Sequence, residues 1–463
     1  MYAYQDINDT IAAISTPTGA GGIGIVRLSG KDALAIADRI FAAKRKTLPS
    51  QFSSHTVHYG WIKDGEEVLD EVLLTVMRAP HSYTTEDIVE ISCHGGTVSL
   101  KAILYLVLAQ GARLAEPGEF TKRAYLNGRL DLTQAEAVLD IIQSKTDAFL
   151  KISTHQLKGD LSRELEVIRE GLMSIYVELE AIVNFPEDEI DAQGRTGISK
   201  NILENKTRVD RLLASGEKGR ILREGIQIVL CGKPNVGKSS LLNLLLKTPR
   251  AIVSDIAGTT RDTIEEAAQI QGIPLRIVDT AGILEPRDSI EEEAVKRSHM
   301  HMAAADLVLL VLDVSEPLDA KDKAVIQKLN NPHVLIVYNK CDKPARLDKE
   351  DVQKLLPQES GVEVSVLHRQ GLEHLEEQII ELVWQAEEPN AQGILVSNVR
   401  HIEALRQASA GLEKAARLIV EGISLEFVSE EIKVAVNFLD AVTGKNIDHD
   451  LLETIFSQFC IGK

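Results

Sequence analysis

The sequence predicts a multidomain fold of α/β and all-α parts: a mixed α/β N-terminal domain, a discontinuous helical domain, and a doubly wound α/β domain inserted into it. Three observations predict this. A chain of 463 residues is long for a single core. Four continuous apolar runs lie between residues 224 and 342, each ending in a polar loop, as in a parallel sheet covered on both faces. Helical stretches flank that block, one free of proline between Pro117 and Pro186, the other over about 395–456.

Within residues 1–118, "GGIGIVRLSG", "EVLLTVM" and "DIVEISCHGG" are short β-branched runs separated by helical segments such as "KDALAIADRIFAAK". Over residues 119–220 the pattern becomes helical. Leu161, Leu165, Ile168, Leu172, Ile175, Leu179 and Ile182 recur at alternating spacings of four and three, which places them on one stripe of a long helix. A bundle seam is the plain use of such a stripe. Residues 221–379 hold the runs "IQIVLCG", "LRIVDTAG", "DLVLLVLDV" and "HVLIVYNKCD". Residues 380–463 return to helix. Short helical pieces seldom stand alone, so this part is expected to pack with the 119–220 helices, leaving 221–379 as an insertion.

Composition narrows the function classes. With 44% hydrophobic and 26% charged residues the chain reads as an ordinary soluble protein. It has no apolar run of about 18 residues, so no membrane span is expected. The start "MYAYQDINDT" lacks the basic flank and apolar stretch of a signal peptide, and a cytoplasmic location is expected. The four cysteines form no C-x-x-C pair, which argues against a disulfide framework or a cysteine zinc site. The end, "FCIGK", fits a bare C-a-a-X pattern, but it closes on Lys463 with no polybasic stretch before it, which argues against a lipid anchor. Net charge of −18 requires any nucleic-acid contact to be a local basic surface.

The motifs are more specific. "GKPNVGKSS" follows a predicted strand and opens a helix. Its spacing lets Gly232 and Gly237 bring backbone N–H groups onto phosphate oxygens, while Lys238 reaches the β and γ phosphates and Ser239 ligates magnesium. Asn235, Val236 and Ser240 complete the expected contacts of this P-loop. In "DTAG", Asp279 can hold magnesium through water and the Gly282 N–H can meet the γ phosphate. In "NKCD", the Asp342 carboxylate can accept both the N1–H and the amino group of guanine, which favours GTP over ATP. Asn339 supports that loop and Lys340 lies along the base. Each motif alone is compatible with a surface turn; in this order they resemble the G1, G3 and G4 elements of the translation-factor-related GTPases. A fifth element, "SVL" at 365–367, departs from the usual Ser-Ala-Lys. Ile283 stands where many GTPases carry the glutamine that orients water, so another group must do that work. In "SDIAGTTRD", Thr259 or Thr260 can ligate magnesium and backbone carbonyls can hold a monovalent cation; a polar loop without an ion fits the local chemistry equally well.

With "PGEFTKRAYLNGRLDLTQAEA", "NFPEDEID" and "CIGK" added to these stretches, the chain resembles, over essentially its whole length, the bacterial tRNA-modification GTPases of the MnmE or TrmE family. The resemblance implies a homodimer formed through the N-terminal domain. It implies a FAD-containing partner, often called GidA or MnmG, with which the family builds an aminomethyl or carboxymethylaminomethyl group on carbon 5 of the tRNA wobble uridine. FAD would come only with that partner, since this chain has no dinucleotide fingerprint. By position, Asn235, Ser254, Ile256 and Thr259 would hold potassium, with Ser254 where a threonine is common, and Ser239 and Thr260 would hold magnesium. Potassium would stand where an arginine finger's charge lies in other GTPases. Glu291 matches the glutamate that orients water, although it opens an "EEE" run that charge alone would make a solvated helix start. Arg27, Glu90, Arg129 and Lys463 match a site for 5-formyltetrahydrofolate or a related folate, with Arg129 in place of a lysine. Cys460 would then be a functional thiol that adds to uridine carbon 6 or positions substrate; a small buried residue at a helix end is the structural alternative. Two other functions stay open: a GTP-dependent switch or ribosome assembly factor, and a one-carbon transferase acting on a small molecule.

Overall fold

The structure is a computed structural model and describes residues 9–17, 19–44, 46–184, 192–246, 266–279, 305–329, 333–357, 359–384 and 394–463. The chain forms two compact units, one of Met1–Leu139, Gln156–Asn205 and Ala410–Lys463, the other of Asp140–His155 and Lys206–Ser409.

In the first unit a seven-stranded sheet is built from β1 (Ile11–Ile14), β2 (Ile23–Ser29), β3 (Phe41–Ala43), β4 (Thr56–Asp64), β5 (Glu67–Met77), β6 (Ile88–His94) and β7 (Arg113–Leu114). Their order is β3-β4-β5-β6-β2-β1-β7, antiparallel except for the β1–β7 pair. Val26, Leu28, Leu74, Val76, Val89 and Ile91 are fully buried in one core with the helices Ala33–Ile40 and Thr97–Ala109. Successive side chains of a strand alternate faces, so Arg27 and Glu90, directly opposite in register, point to the other face.

One expected helix is shorter than its sequence suggests. Residues 41–43 leave the 31–44 helical segment and pair with Gly60, Trp61 and Ile62 of β4. Helix propensities differ by only tenths of a kcal/mol per residue, and burial of Phe41, edge-on to Phe52 at 6.3 Å, outweighs them.

The predicted stripe lies on the helix Asp160–Asn184. Its first six members are buried and Ile182, in the last turn, is half-buried. The helix packs on Leu425–Thr443, where Val428, Ile432, Ala435 and Leu439 are buried, and Arg169 donates to Asp440 at 2.6 Å. Leu172→Ala here would cost about 2–5 kcal/mol in lost burial and cavity. The last helix, His449–Ser457, seats Leu452, Ile455 and Phe456 with Leu132, Ala135 and Leu139, and Phe459 joins the same cluster. That packing delivers the C-terminal residues to the sheet.

In the second unit β8 (Ile226–Cys231), β9 (Glu266–Ile270), β10 (Ile273–Asp279), β11 (Leu307–Asp313), β12 (Val334–Asn339) and β13 (Gly361–Val364) form a sheet in the order β13-β12-β11-β8-β10-β9. All neighbours are parallel except β9, which is antiparallel to β10. Every residue of β11 and β12 is buried, which is why these strands read as unbroken apolar runs. The helices Lys238–Leu246 and Leu372–Trp384 share one core with the sheet; Ala320–Gln327 and Lys349–Leu355 share a second. Among the described residues, no helix is long and apolar enough to cross a membrane. The four cysteines are free thiols, and Cys460 is exposed.

Candidate functional site

The parallel strands of the second unit end together. Asp279 pairs with Leu230, Leu310 with Cys231, Asp313 with Asn339, and Asn339 with Val364. Their C-terminal ends therefore deliver the phosphate loop, "NKCD" and "SVL" to one edge, the usual ligand position of an open α/β sheet. Lys238 opens the helix Lys238–Leu246, and its Nζ donates to the carbonyls of Gly232 at 2.8 Å and Lys233 at 3.0 Å. Ser239 and Ser240 stand exposed in the first turn of the same helix. The Gly237 backbone has φ of +103°, and a Cβ there would lie 2.3 Å from the Asn339 amide nitrogen. Only glycine fits. That closeness lets buried Asn339 donate to the Val236 carbonyl at 2.7 Å, tying the base loop to the phosphate loop.

Asn235 and Lys340 both adopt left-handed backbones, with φ of 67° and 64°. Such conformations concentrate at functional sites. The Lys340 Nζ donates to the Asn235 carbonyl at 3.0 Å and to the carboxylate of Asp313. Burial pushes the Asp313 carboxyl up, but the bonds from Lys340 and Ser315 outweigh it and hold the group below the usual carboxylate range. Asp342 accepts from the Ser365 hydroxyl at 2.6 Å, and that bond keeps its carboxyl low and ionised. The fifth motif thus keeps its serine bonded to the Asp342 carboxylate. The Val366 N–H donates to Asn339 Oδ1 at 3.3 Å.

A second site lies in the first unit, on the sheet face away from the two helices. Arg27 donates to Glu90 through Nε at 2.7 Å and through Nη1 to the Gly462 carbonyl at 3.3 Å. The guanidinium lies 5.6 Å from the centre of the Phe120 ring. Burial and then the Arg27 charge push the Lys463 ammonium below its usual value, with Glu90 and Cys460 close enough to pull the other way. Arg129 stacks on Tyr83 at 4.9 Å and donates to its carbonyl at 3.2 Å. The Tyr83 hydroxyl meets Thr121 at 3.0 Å; burial pushes it up while Arg129 and Arg27 pull it down. Arg27, Glu90 and Lys463 thus come together beside an exposed thiol, and Tyr83 links Arg129 to them. The cationic side chains of Arg27, Arg129 and Lys463, beside the Glu90 carboxylate, fit an anionic ligand. Tyr83, Phe120, Ser15 and Gly462 were not foreseen. The Ser15 hydroxyl donates to the main-chain carbonyl of Gly462, a contact that leaves no pattern in residue type.

The MnmE helical domain model matches residues 132–460, and the model described as the GTP-binding protein TrmE N-terminus matches residues 10–129. The chain belongs to the MnmE family of tRNA modification GTPases. It is 44% identical over 459 residues to the tRNA modification GTPase MnmE of Lactiplantibacillus plantarum, covering 98% of both chains. To that of Thermoanaerobacter pseudethanolicus it is 46% identical, covering 98% of this chain and 99% of the relative. Among solved structures it resembles the G domain of the T. maritima FeoB iron transporter, at 28% identity and a TM-score of 0.27, covering 34% of this chain and 98% of that one. In this chain the N-terminal and helical parts accompany a P-loop domain, and the enzyme class is GTP hydrolase. Ser254, Ile256, Thr259, Thr260, Gly282 and Glu291 lie outside the described residues. Asp279 is placed as the last residue of β10.

Proposed function

We propose that this chain is the GTPase of a two-protein, cytoplasmic tRNA-modifying complex. With a FAD-dependent partner of the GidA or MnmG type, and as a homodimer, it installs an aminomethyl or carboxymethylaminomethyl group on carbon 5 of the wobble uridine. The observation that carries this reading is the tail site, where a thiol, an amine and the Arg27–Glu90 pair meet in a chain that also holds a guanine-nucleotide site. The division into domains at 118, 220 and 379 belongs to the same proposal.

Arg27, Arg129 and Lys463 would hold the carboxylates of a folate such as 5-formyltetrahydrofolate, with Glu90 as a hydrogen-bond acceptor. Once bound, that carrier would supply the one-carbon unit. The Cys460 thiolate would add to uridine carbon 6, making carbon 5 nucleophilic; loss of the carbon-5 proton after substitution would expel the thiolate again. On the GTP side, Ser239 and Thr260 would ligate magnesium. Asn235, Ser254, Ile256 and Thr259 would hold potassium, whose charge would offset the charge building up in the transition state. Glu291 would orient the attacking water. GTP turnover should be at least about tenfold faster in potassium than in sodium, and equal rates would remove that mechanism.

The test of the function is mass spectrometry of total-tRNA nucleosides from cells lacking the chain. Loss of the carbon-5 wobble group, restored by the wild-type chain, is the expected result. An unchanged nucleoside profile would leave a GTP-dependent switch or assembly factor as the better reading.

A further inference from the structure

We infer that Gly462 is the positioning residue that fixes where the Cys460 thiol stands, an inference that rests on the tail site proposed above. Residues 460–463 are held mainly through their backbone. The Gly118 N–H donates to the Cys460 carbonyl at 3.4 Å, and the Phe120 N–H donates to the Lys463 carbonyl at 3.1 Å. The Gly462 carbonyl accepts from the Ser15 hydroxyl at 3.1 Å and from Arg27 Nη1 at 3.3 Å. Apolar burial contributes little here, because Ile461 is 51% exposed and Cys460 is exposed as well. The tail therefore stays only where these hydrogen bonds can form.

Their geometry depends on one residue type. Gly462 has φ of +96°, and a Cβ added there would lie 2.4 Å from the Ile14 carbonyl oxygen and 3.0 Å from Ser15 Cα. Both are backbone atoms at the end of β1, a strand flanked by β2 and β7, so neither can swing aside like a side-chain tip. Any side chain at 462 must lift the tail. The opposite wall is equally fixed. The Phe120 N–H belongs to the first turn of the helix Glu119–Leu126, where amides lack partners within the helix. Arg123 of that helix is 1% exposed and pairs with Asp9, Glu86 and Glu119, which anchors the turn. Arg27 is shared between Glu90 and the Gly462 carbonyl, so a displaced tail also releases one donor of the ligand site.

The experiment compares full-length Gly462→Ala, Ser15→Ala and Cys460→Ser by amide hydrogen exchange around Gly118 and Phe120, by GTP turnover, and by wobble modification in cells. Gly462→Ala should speed exchange at those two amides and lower modification about 10²-fold, the scale of an ångström-level misplacement, with GTP turnover and melting temperature unchanged. Ser15→Ala should move both readouts the same way by less, and it stands in if Gly462→Ala fails to fold. Cys460→Ser should lose modification with exchange unchanged. Unchanged exchange in Gly462→Ala, or full modification despite faster exchange, would overturn the inference. Full modification in Cys460→Ser would instead refute the thiol chemistry, while exchange would still decide how the tail is held.

Discussion

The nucleotide site takes its described residues from the ends of adjacent parallel strands, whereas the tail site joins β2 and β6 to the last residues of the chain, 435 positions beyond Arg27. In the first, side chains do the holding: Asn339 on Val236, Lys340 on Asn235 and Asp313, Ser365 on Asp342. In the second, the four bonds that hold residues 460–463 to the rest of the unit all end on backbone carbonyls of the tail; two come from backbone amides, one from the Ser15 hydroxyl, and only Arg27 brings a charge. A site assembled from side chains announces itself in motifs. One assembled by backbone contacts depends on sterics, and glycine is its only mark.

The difference can be broken most sharply at Lys238. Lys238→Ala should cut GTP turnover about 10²–10³-fold by removing a phosphate-directed charge, while exchange at Gly118 and Phe120 stays the same. A change at those amides would show that the two sites are not separable in the free protein. Glu291→Ala should slow turnover about 10²-fold at unchanged GTP affinity, as for a group used only in the transition state; an equal loss of affinity, read by nucleotide titration, would make it structural. Arg27→Ala leaves Glu90 without its cross-strand partner and should destabilise the first unit by about 1–3 kcal/mol in denaturant unfolding, with nucleotide affinity intact.

Ser365→Ala is the mildest. Losing its bond to Asp342 should weaken GTP binding about 2–10-fold. The pH dependence has a definite sign. Asp342 must be ionised to accept both guanine donors, and Ser365 holds its carboxyl below the ordinary value. Without Ser365 the carboxyl rises, so on acidification the variant should lose GTP affinity at a higher pH than the wild type. Coincident profiles would show that Ser365 only supports the loop.

Legibility in the sequence follows the same division. β8, β10, β11 and β12 were readable because burial on both faces leaves unbroken apolar runs, and the 160–184 helix because one buried face imposes a 3.6-residue period. β1, β4 and β7 carried less signal. β4 alternates exposed Val57 and Tyr59 with buried Gly60 and Ile62, and β7 is two residues long. Phe41–Ala43 looked helical because strand pairing with β4 is a tertiary choice. At the sites, Lys238, Asn339 and Asp342 were visible from motif spacing. Arg27 and Glu90 were visible only through the family resemblance, since neither residue type nor spacing marks a cross-strand pair on an open sheet face. Ser15 and Phe120 carried no signal because the Ser15 hydroxyl and the Phe120 amide bond main-chain carbonyls, and Gly462 was visible only as part of "CIGK", its steric role being set by backbone atoms at the end of β1.

The most direct test of the central claim, that a GTP-hydrolysing unit serves chemistry performed at the C-terminal thiol, is to complement deletion cells with Cys460→Ser and quantify wobble nucleosides by mass spectrometry. GTP turnover of the purified variant is measured alongside. The account predicts that the carbon-5 group is lost while GTP turnover stays at the wild-type rate. Full restoration of the modified nucleoside by Cys460→Ser would contradict it and leave the thiol a structural residue at the end of the chain.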